Sequence, residues 1–180
     1  MKNPVLKNNI EQFACMRESL TLQAAIKEAN RCLLCADAPC SNACPAGTDP
    51  GRFIRQIKFL NFKGAARTIR NNNIFGSSCA LICPVEKLCE EKCSVMALED
   101  PINIGGLQRF ATEHGRDNKL EKLESGNKTK QKVAVIGAGP AGMSCAAELA
   151  KMDYHVTIFE RNKQAGGMPN LTIPEFRLAN

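Results

Sequence analysis

The stretches RCLLCADAPCSNACP (31–45) and SCALICPVEKLCEEKC (78–93) decide the fold of this chain, because they hold eight of its ten cysteines. The cysteine spacings are C-x2-C-x4-C-x3-C over Cys32, Cys35, Cys40 and Cys44, and C-x3-C-x5-C-x3-C over Cys79, Cys83, Cys89 and Cys93. A proline follows both Cys44 and Cys83. Short runs that contain Cys-Pro ligate iron–sulfur clusters, and one cysteine of a run often serves the neighbouring cluster. The sequence therefore predicts two [4Fe–4S] clusters and one-electron transfer.

Zinc is the main alternative for these cysteines. Structural zinc sites favour two C-x2-C pairs separated by a longer loop, and Cys32 and Cys35 form the one pair with that spacing. Both histidines, His114 and His155, lie outside the cysteine runs. The spacing favours iron–sulfur ligation, and a metal-stabilised interaction module without a redox role remains the alternative from another functional class.

Composition narrows the class of protein further. Aromatic residues make up 5% of the 180 residues and tryptophan is absent, so bound metal is expected to contribute to folding. The sequence has no run of 18 apolar residues and no signal-peptide core, which predicts neither a membrane span nor secretion. Abundant cysteine in such a chain indicates metal or redox chemistry in the cytoplasm. The net charge is +6, but the basic residues lack interleaved aromatic residues, so nucleic-acid binding is not expected.

Residues 1–116 have the pattern of an all-α domain wrapped around metal. Apolar residues recur at helical spacing after Thr21, Asp49 and Asn61, each of which is a suitable helix cap. A fourth helix is predicted over 104–114. Loops rich in proline, glycine, serine and asparagine carry the cysteines between these helices.

The composition changes after a charged, polar segment, 117–131, which we interpret as a linker. An apolar β-type run at 132–136, an alanine-rich helix at 139–151 and a second apolar run at 155–160 predict a βαβ unit. The fold class is therefore α+α/β, in which an all-α two-cluster domain precedes the first βαβ of a Rossmann-like domain. Because residues 132–180 are too few for a complete domain, we expect the chain to be a fragment of a longer flavoprotein or a truncated gene product.

The turn between the first strand and the helix reads GAGPAG over residues 137–142, a G-x-G-x-x-G motif in its required strand–helix context. Gly137 permits the tight turn, Gly139 lets the backbone approach a pyrophosphate, and Gly142 lets the helix pack closely on the strand. Glu160, at the end of the second strand, is expected to accept hydrogen bonds from the ribose hydroxyls of a bound dinucleotide.

With both motifs in place, the chain resembles the N-terminal iron–sulfur and FAD part of the dihydropyrimidine dehydrogenase family. The resemblance covers about residues 20 to 180. The stretches that carry it are RCLLCADAPCSNACPAGTDPGRFIRQI, NFKGAARTIRNNN, PINIGGLQRFATE, VAVIGAGPAGMSCAAELA and GGM…IPEFRL. The small subunit of glutamate synthase is a related alternative, but that protein usually has Gly-Val-Pro-Phe-Cys where this chain has ADAPC at 36–40, and tends to have Glu at position 108.

The resemblance implies ligands that spacing alone does not assign. One cluster would take Cys32, Cys35, Cys40 and Cys93, and the other Cys44, Cys83, Cys89 and Gln108, which leaves Cys79 as a non-ligand. The implied FAD contacts are Gly137, Ala138, Gly139, Pro140, Ala141, Gly142, Glu160, Met168 and Arg177, with Ile82 of the cluster domain packed near the flavin.

The resemblance also implies the activity. In the family, NAD(P)H reduces FAD, and electrons then pass through the clusters to an FMN site that reduces uracil or thymine. The expected partner is an FMN-containing catalytic subunit or domain within an oligomer, and this fragment is not expected to turn over by itself.

Overall fold

The computed structural model describes residues 19–120, 131–174 and 176–178. These residues form two compact units, one of residues 19–120 with 174 and 176–178, the other of residues 131–173. Within the described ranges, no helix has both the length and the apolar character that a bilayer crossing needs.

The first unit is helical, as predicted. Its α-helices are α1 Leu22–Asn30, α2 Pro39–Asn42, α3 Pro50–Lys58, α4 Phe62–Asn72, α5 Gly76–Ile82 and α6 Ile104–Asp117. Two short 3-10 helices, Val85–Lys87 and Ser94–Ala97, lie between α5 and α6. The loops around α2 and around the 3-10 helices carry most of the clustered cysteines.

Side-chain caps fix where the long helices begin. The predicted caps are confirmed, since Thr21 accepts from the amide of Ala24 at 3.2 Å, Asp49 from Arg52 at 3.0 Å and Asn61 from Gly64 at 2.8 Å. Asn103 caps α6 in the same way, through the amide of Gly106 at 2.7 Å. Each such cap contributes about 1 kcal/mol to helix stability.

The core of this unit lies where α1, α3, α4 and α6 meet. Its fully buried side chains include Phe53, Ile57, Ile69 and Leu107. Cys89 belongs to this core, and the half-buried Cys32, Cys40, Cys83 and Cys93 pack against it. The cysteine loops are therefore anchored at the edge of an apolar core.

The second unit is the predicted βαβ. Strands β1 (Lys132–Ile136) and β2 (His155–Phe159) pair in parallel, with Lys132 opposite His155 and Ile136 opposite Phe159. Helix α7 (Pro140–Lys151) connects them and packs on both strands. Because the carboxyl ends of the two strands share one edge, the glycine turn and Glu160 lie together there. A short helix, α8 (Met168–Thr172), follows.

Two features differ from the sequence-based expectation. Helix α5 lies in a segment between the predicted helices, where the sequence predicts a cysteine loop, but it forms because it packs on α6 and buries Gly76 and Ala80. Helix α6 continues to Asp117, the first residue of the predicted linker. The part of that linker at 121–130, and the first 18 residues of the predicted helical domain, lie outside the described residues.

Candidate cluster and dinucleotide sites

One set of four thiols lines a common cavity. Cys32 and Cys35 follow α1, Cys40 lies in α2, and Cys93 immediately precedes the second 3-10 helix. Ser94 lines the same cavity. The fold thus brings a cysteine of the second run to three cysteines of the first, across a separation of more than 50 residues in the sequence.

Burial dominates the electrostatics of these thiols. Burial, together with the neighbouring Cys93 and Cys32, raises the pKa of Cys40 to about 11. Burial also raises the pKa of Cys32, an effect that a hydrogen bond from the Leu34 backbone opposes. Metal ligation requires thiolates, so metal bound here must displace these protons.

A second set forms around Cys89, which is 7% exposed. Burial, together with the charges of Glu90, Cys83 and Cys44, raises the pKa of Cys89 to about 12. Cys44 belongs to the first run in the sequence, so this neighbourhood also combines cysteines of both runs. Three thiols in one buried region are suitable donors for an iron–sulfur cluster.

Gln108 and Cys79, the two candidates for the remaining position, both lie where α5 packs on α6. Gln108 is 8% exposed and its Nε2 donates to the carbonyl of Gly76 at 2.8 Å. Cys79 lies one turn further along α5, and its Sγ accepts from Nδ2 of Asn73 at 3.2 Å. The hydrogen bond to Gly76 commits the amide nitrogen of Gln108, which leaves its Oε1 as the atom with the chemistry of a metal ligand.

No three His, Cys, Asp or Glu side chains in the described residues converge at the distances of a single-ion site. Sulfur donors at the edge of an apolar core fit the chemistry of an iron–sulfur cluster.

The glycine turn has the geometry of a phosphate cradle. Gly137 has φ +95°, and a Cβ on Gly142 would lie 2.0 Å from the carbonyl oxygen of Gly137, so both positions require glycine. A Cβ on Gly139 would meet nothing closer than 4.0 Å. Gly139 is the N-cap of α7 and has no side chain to cap the amides of the first turn, which are the groups that bind phosphate at a helix N-terminus.

Glu160 holds the glycine turn in place. Its Oε2 accepts from the amide of Ala138 at 2.7 Å, and its Oε1 accepts from the amide of Asn162 at 2.8 Å. The hydrogen bonds from Asn162 and Ala138 lower the pKa of this carboxyl. Glu160 is therefore ionised at neutral pH and lies beside the turn, where a ribose is expected.

Two further glycines of the site were missed by the sequence analysis. Gly166 donates its amide to the carbonyl of Ala138 at 2.8 Å. A Cβ on Gly167, which has φ +62°, would lie 2.9 Å from the Cα of Gly139. The Gly-Gly pair at the end of a polar segment was the available signal, because close contact between two backbones requires glycine.

The remaining predicted contacts are placed as follows. Met168 begins α8 directly after Gly167 and is 65% exposed, beside the glycine turn. A cavity of about 350 Å³ lies in the same region, lined by Asn162, Lys163, Gln164, Gly167, Asn170 and Leu171. Arg177 groups with the helical unit, and Ile82 is the half-buried last residue of α5. Cys145 of α7, which lies outside both cysteine runs, is exposed.

The family model for dihydropyrimidine dehydrogenase domain II, 4Fe-4S cluster, matches residues 9–120. This chain belongs to that family. A second model, for an NAD(P)-binding Rossmann-like domain, matches residues 135–177. The dihydropyrimidine dehydrogenase match confirms the predicted iron–sulfur chemistry, and the two matches together confirm the predicted fold class and a dinucleotide-binding unit.

Curated relatives agree with this membership of the dihydropyrimidine dehydrogenase family. The NAD-dependent dihydropyrimidine dehydrogenase subunit PreT of Escherichia coli (strain K12) is 54% identical over 160 residues, which is 89% of this chain and 39% of that protein. The same subunit of Salmonella typhimurium (strain LT2) is 54% identical over 154 residues, which is 86% of this chain and 37% of that protein. The chain therefore spans about two fifths of the length of these relatives.

Proposed function

We propose that this chain is the electron-transfer part of an NAD(P)H-dependent iron–sulfur flavoprotein that serves pyrimidine reduction. A cluster domain over 1–116, a linker over 117–131 and the start of an FAD domain over 132–180 form its organisation. The family matches at 9–120 and 135–177 support two domains in this order, although the first match and helix α6 both continue past residue 116. The names of the relatives, which are dihydropyrimidine dehydrogenase subunits, support uracil or thymine as the final substrate over the glutamate synthase alternative.

The single observation that carries this proposal is the exchange of cysteines between the two runs. Cys93 lies with the cysteines of the first run, and Cys44 lies near Cys83 and Cys89. Two clusters whose ligands are shared between the runs are close to one another, and closeness is what stepwise electron transfer requires. We assign Cys32, Cys35, Cys40 and Cys93 to one cluster, and Cys44, Cys83, Cys89 and Gln108 to the other.

Residues of the βαβ unit and of the cluster domain are proposed to bind the FAD that supplies electrons to the clusters. When bound, FAD would accept two electrons as hydride from NAD(P)H and release them one at a time to the clusters. The amides of the turn after Gly139 hold the pyrophosphate. The carboxylate of Glu160 accepts hydrogen bonds from the ribose hydroxyls, either in place of its hydrogen bond from the Ala138 amide or in addition to it. Met168, Arg177 and Ile82 are proposed to contact the flavin.

The partner of this chain is proposed to be an FMN-containing subunit or domain within an oligomer, and its location the cytoplasm. The word subunit in the names of the relatives supports a partner chain, and the resemblance to the family suggests its FMN. The reducing conditions that keep clustered cysteines available for metal support the cytoplasm.

Metal analysis of anaerobically purified protein tests the proposal. We expect about eight irons and eight acid-labile sulfides per chain, and EPR signals from two clusters after reduction with dithionite. Stoichiometric zinc with a colourless protein would establish the non-redox interaction module instead. Four irons per chain would reject the two-cluster assignment.

A further inference from the structure

The side chain of Ser94 contacts a candidate ligand sulfur directly. Its Oγ lies 3.4 Å from Sγ of Cys35, and both residues line the cavity formed by the first thiol set. Across the described ranges, the Ser94 hydroxyl has no other hydrogen-bond partner. The Ser94 hydroxyl can therefore accept a hydrogen bond from a Cys35 thiol or donate one to a Cys35 thiolate.

The chemistry of the sulfur fixes the direction of this hydrogen bond. A protonated Cys35 thiol donates to Ser94 Oγ, which is the direction of the hydrogen bond in the structure. A cysteine that ligates iron has lost its proton and is an acceptor, so the hydroxyl of Ser94 must then donate to Sγ.

The position of Ser94 is fixed by its neighbours. Val95, the next residue, is 2% exposed and belongs to the apolar core. The end of the same segment is tied to α1, because Arg31 pairs with Glu99 at 3.2 Å and donates to the carbonyl of Asp100. The segment that begins with Ser94 is thus anchored by the burial of Val95 and by the pairing of Glu99 with Arg31.

The other serine near this thiol set behaves differently. Ser41 follows Cys40, and a hydrogen bond from its side chain opposes the rise in the pKa of the Cys40 thiol. Its hydroxyl also donates to Asp49 Oδ1 at 2.6 Å and accepts from the amide of Gly51 at 3.1 Å. Its proton is already committed to a carboxylate, and it links α2 to the start of α3. Ser94 is consequently the better placed of the two hydroxyls to donate to a cluster.

We propose that Ser94 is a positioning residue that sets the reduction potential of the cluster ligated by Cys32, Cys35, Cys40 and Cys93, an inference that rests on the proposed function. Reduction adds one electron and makes the cluster more negative, with no bond formed or broken. A hydrogen bond donated to a ligand sulfur stabilises that extra charge and raises the potential. Ser94 therefore makes this cluster easier to reduce than it would be without the hydroxyl.

The test is an EPR-monitored redox titration of the anaerobically purified chain and its Ser94→Ala variant, with dithionite as reductant. We expect the Ala variant to retain about eight irons and to lower the midpoint potential of one cluster. Only the difference in hydrogen-bond strength between the reduced and the oxidised cluster moves the potential, so the full strength of one hydrogen bond sets an upper bound of roughly tenfold on the change in the reduction equilibrium, which corresponds to about 59 mV for one electron. Ser94→Thr, which keeps the hydroxyl, should restore the potential, and the second cluster is the internal control.

Several outcomes would overturn the inference. Unchanged potentials in Ser94→Ala with both clusters present would show that the hydroxyl has no effect on the cluster. If Ser94→Ala fails to assemble a cluster, the midpoint potentials of Ser94→Thr and Ser94→Val are compared instead, because threonine and valine have the same shape and threonine alone carries a hydroxyl. Equal potentials in that pair, or assembly in the Thr variant alone, would also reject a potential-setting role. A wild-type chain without two clusters would reject the proposed function itself.

Discussion

Alanine at Gly142 should weaken the folding of the βαβ unit, whereas alanine at Gly139 should weaken cofactor binding without weakening the fold. The Cβ of Gly142→Ala would lie 2.0 Å from the carbonyl oxygen of Gly137, a distance that real Cβ atoms essentially never show. The obstacle is backbone, so either α7 or the Gly137 turn must move by about 1 Å. Gly137 donates to the carbonyl of Phe159 at 2.7 Å, and this movement strains that bond.

The expected cost follows from three opposing contributions. Alanine gains about 1 kcal/mol over glycine from helix propensity, overpacking costs about 1–3 kcal/mol, and the lost hydrogen bond costs about 1 kcal/mol. Gly142→Ala should therefore destabilise the βαβ unit by about 1–3 kcal/mol. Gly139→Ala is the matched control, because its Cβ meets nothing closer than 4.0 Å and its backbone, φ −77° and ψ 177°, suits any residue. We expect its stability to change by about 0.5 kcal/mol or less, since a weaker N-cap offsets a less flexible unfolded chain.

The single tyrosine makes the assay specific to this unit. Tyr154 lies between α7 and β2, so its fluorescence during urea unfolding reports on the βαβ and not on the helical unit. Titration with FAD, followed by flavin fluorescence, measures binding. Gly139→Ala should weaken binding at least about tenfold, because its methyl group occupies the position of the pyrophosphate. The steric argument would be refuted if Gly142→Ala had the same free energy of unfolding as the wild type, or if Gly139→Ala bound FAD as tightly as the wild type.

Three further predictions concern side chains. Gln108→Ala should labilise one cluster whereas Cys79→Ser keeps both, as iron content and EPR will show; the reverse pattern would return the site to four cysteines. Asp49→Ala should lower the stability of the helical unit by about 1–2 kcal/mol in thermal unfolding, because Asp49 caps α3 and accepts from Ser41, while Asp49→Asn should lose less. The pKa of Glu160 is lower in the folded protein than the ordinary glutamate pKa of about 4.3, so its ionised carboxylate stabilises the fold above that pH, and this stability is lost as the pH falls through the pKa of the folded state. The free energy of unfolding of Glu160→Gln should therefore depend less on pH in acid than that of the wild type. An unchanged pH profile would contradict this.

Local signals in the sequence were sufficient for most secondary structure. Thr21, Asp49 and Asn61 begin helices because a side-chain oxygen followed by a free amide is a property of adjacent residues. The strands at 132–136 and 155–159 were equally predictable, since two short apolar runs joined by a glycine turn and a helix form a parallel pair. Helix α5 was not, because its stability comes from packing on α6 and not from its own Gly-Ser-Ser start.

The sequence by itself determined the chemistry of this protein, because cysteine spacing and the G-x-G-x-x-G motif are local patterns that specify iron–sulfur and dinucleotide binding. Only the tertiary structure decided which groups meet. Cys93 joins Cys32 in one cavity and Gly167 lies against Gly139, although each pair is far apart in the chain. The physical reason is that burial of an apolar core positions the loops, and the distances between loops depend on that packing and not on the spacing within either cysteine run.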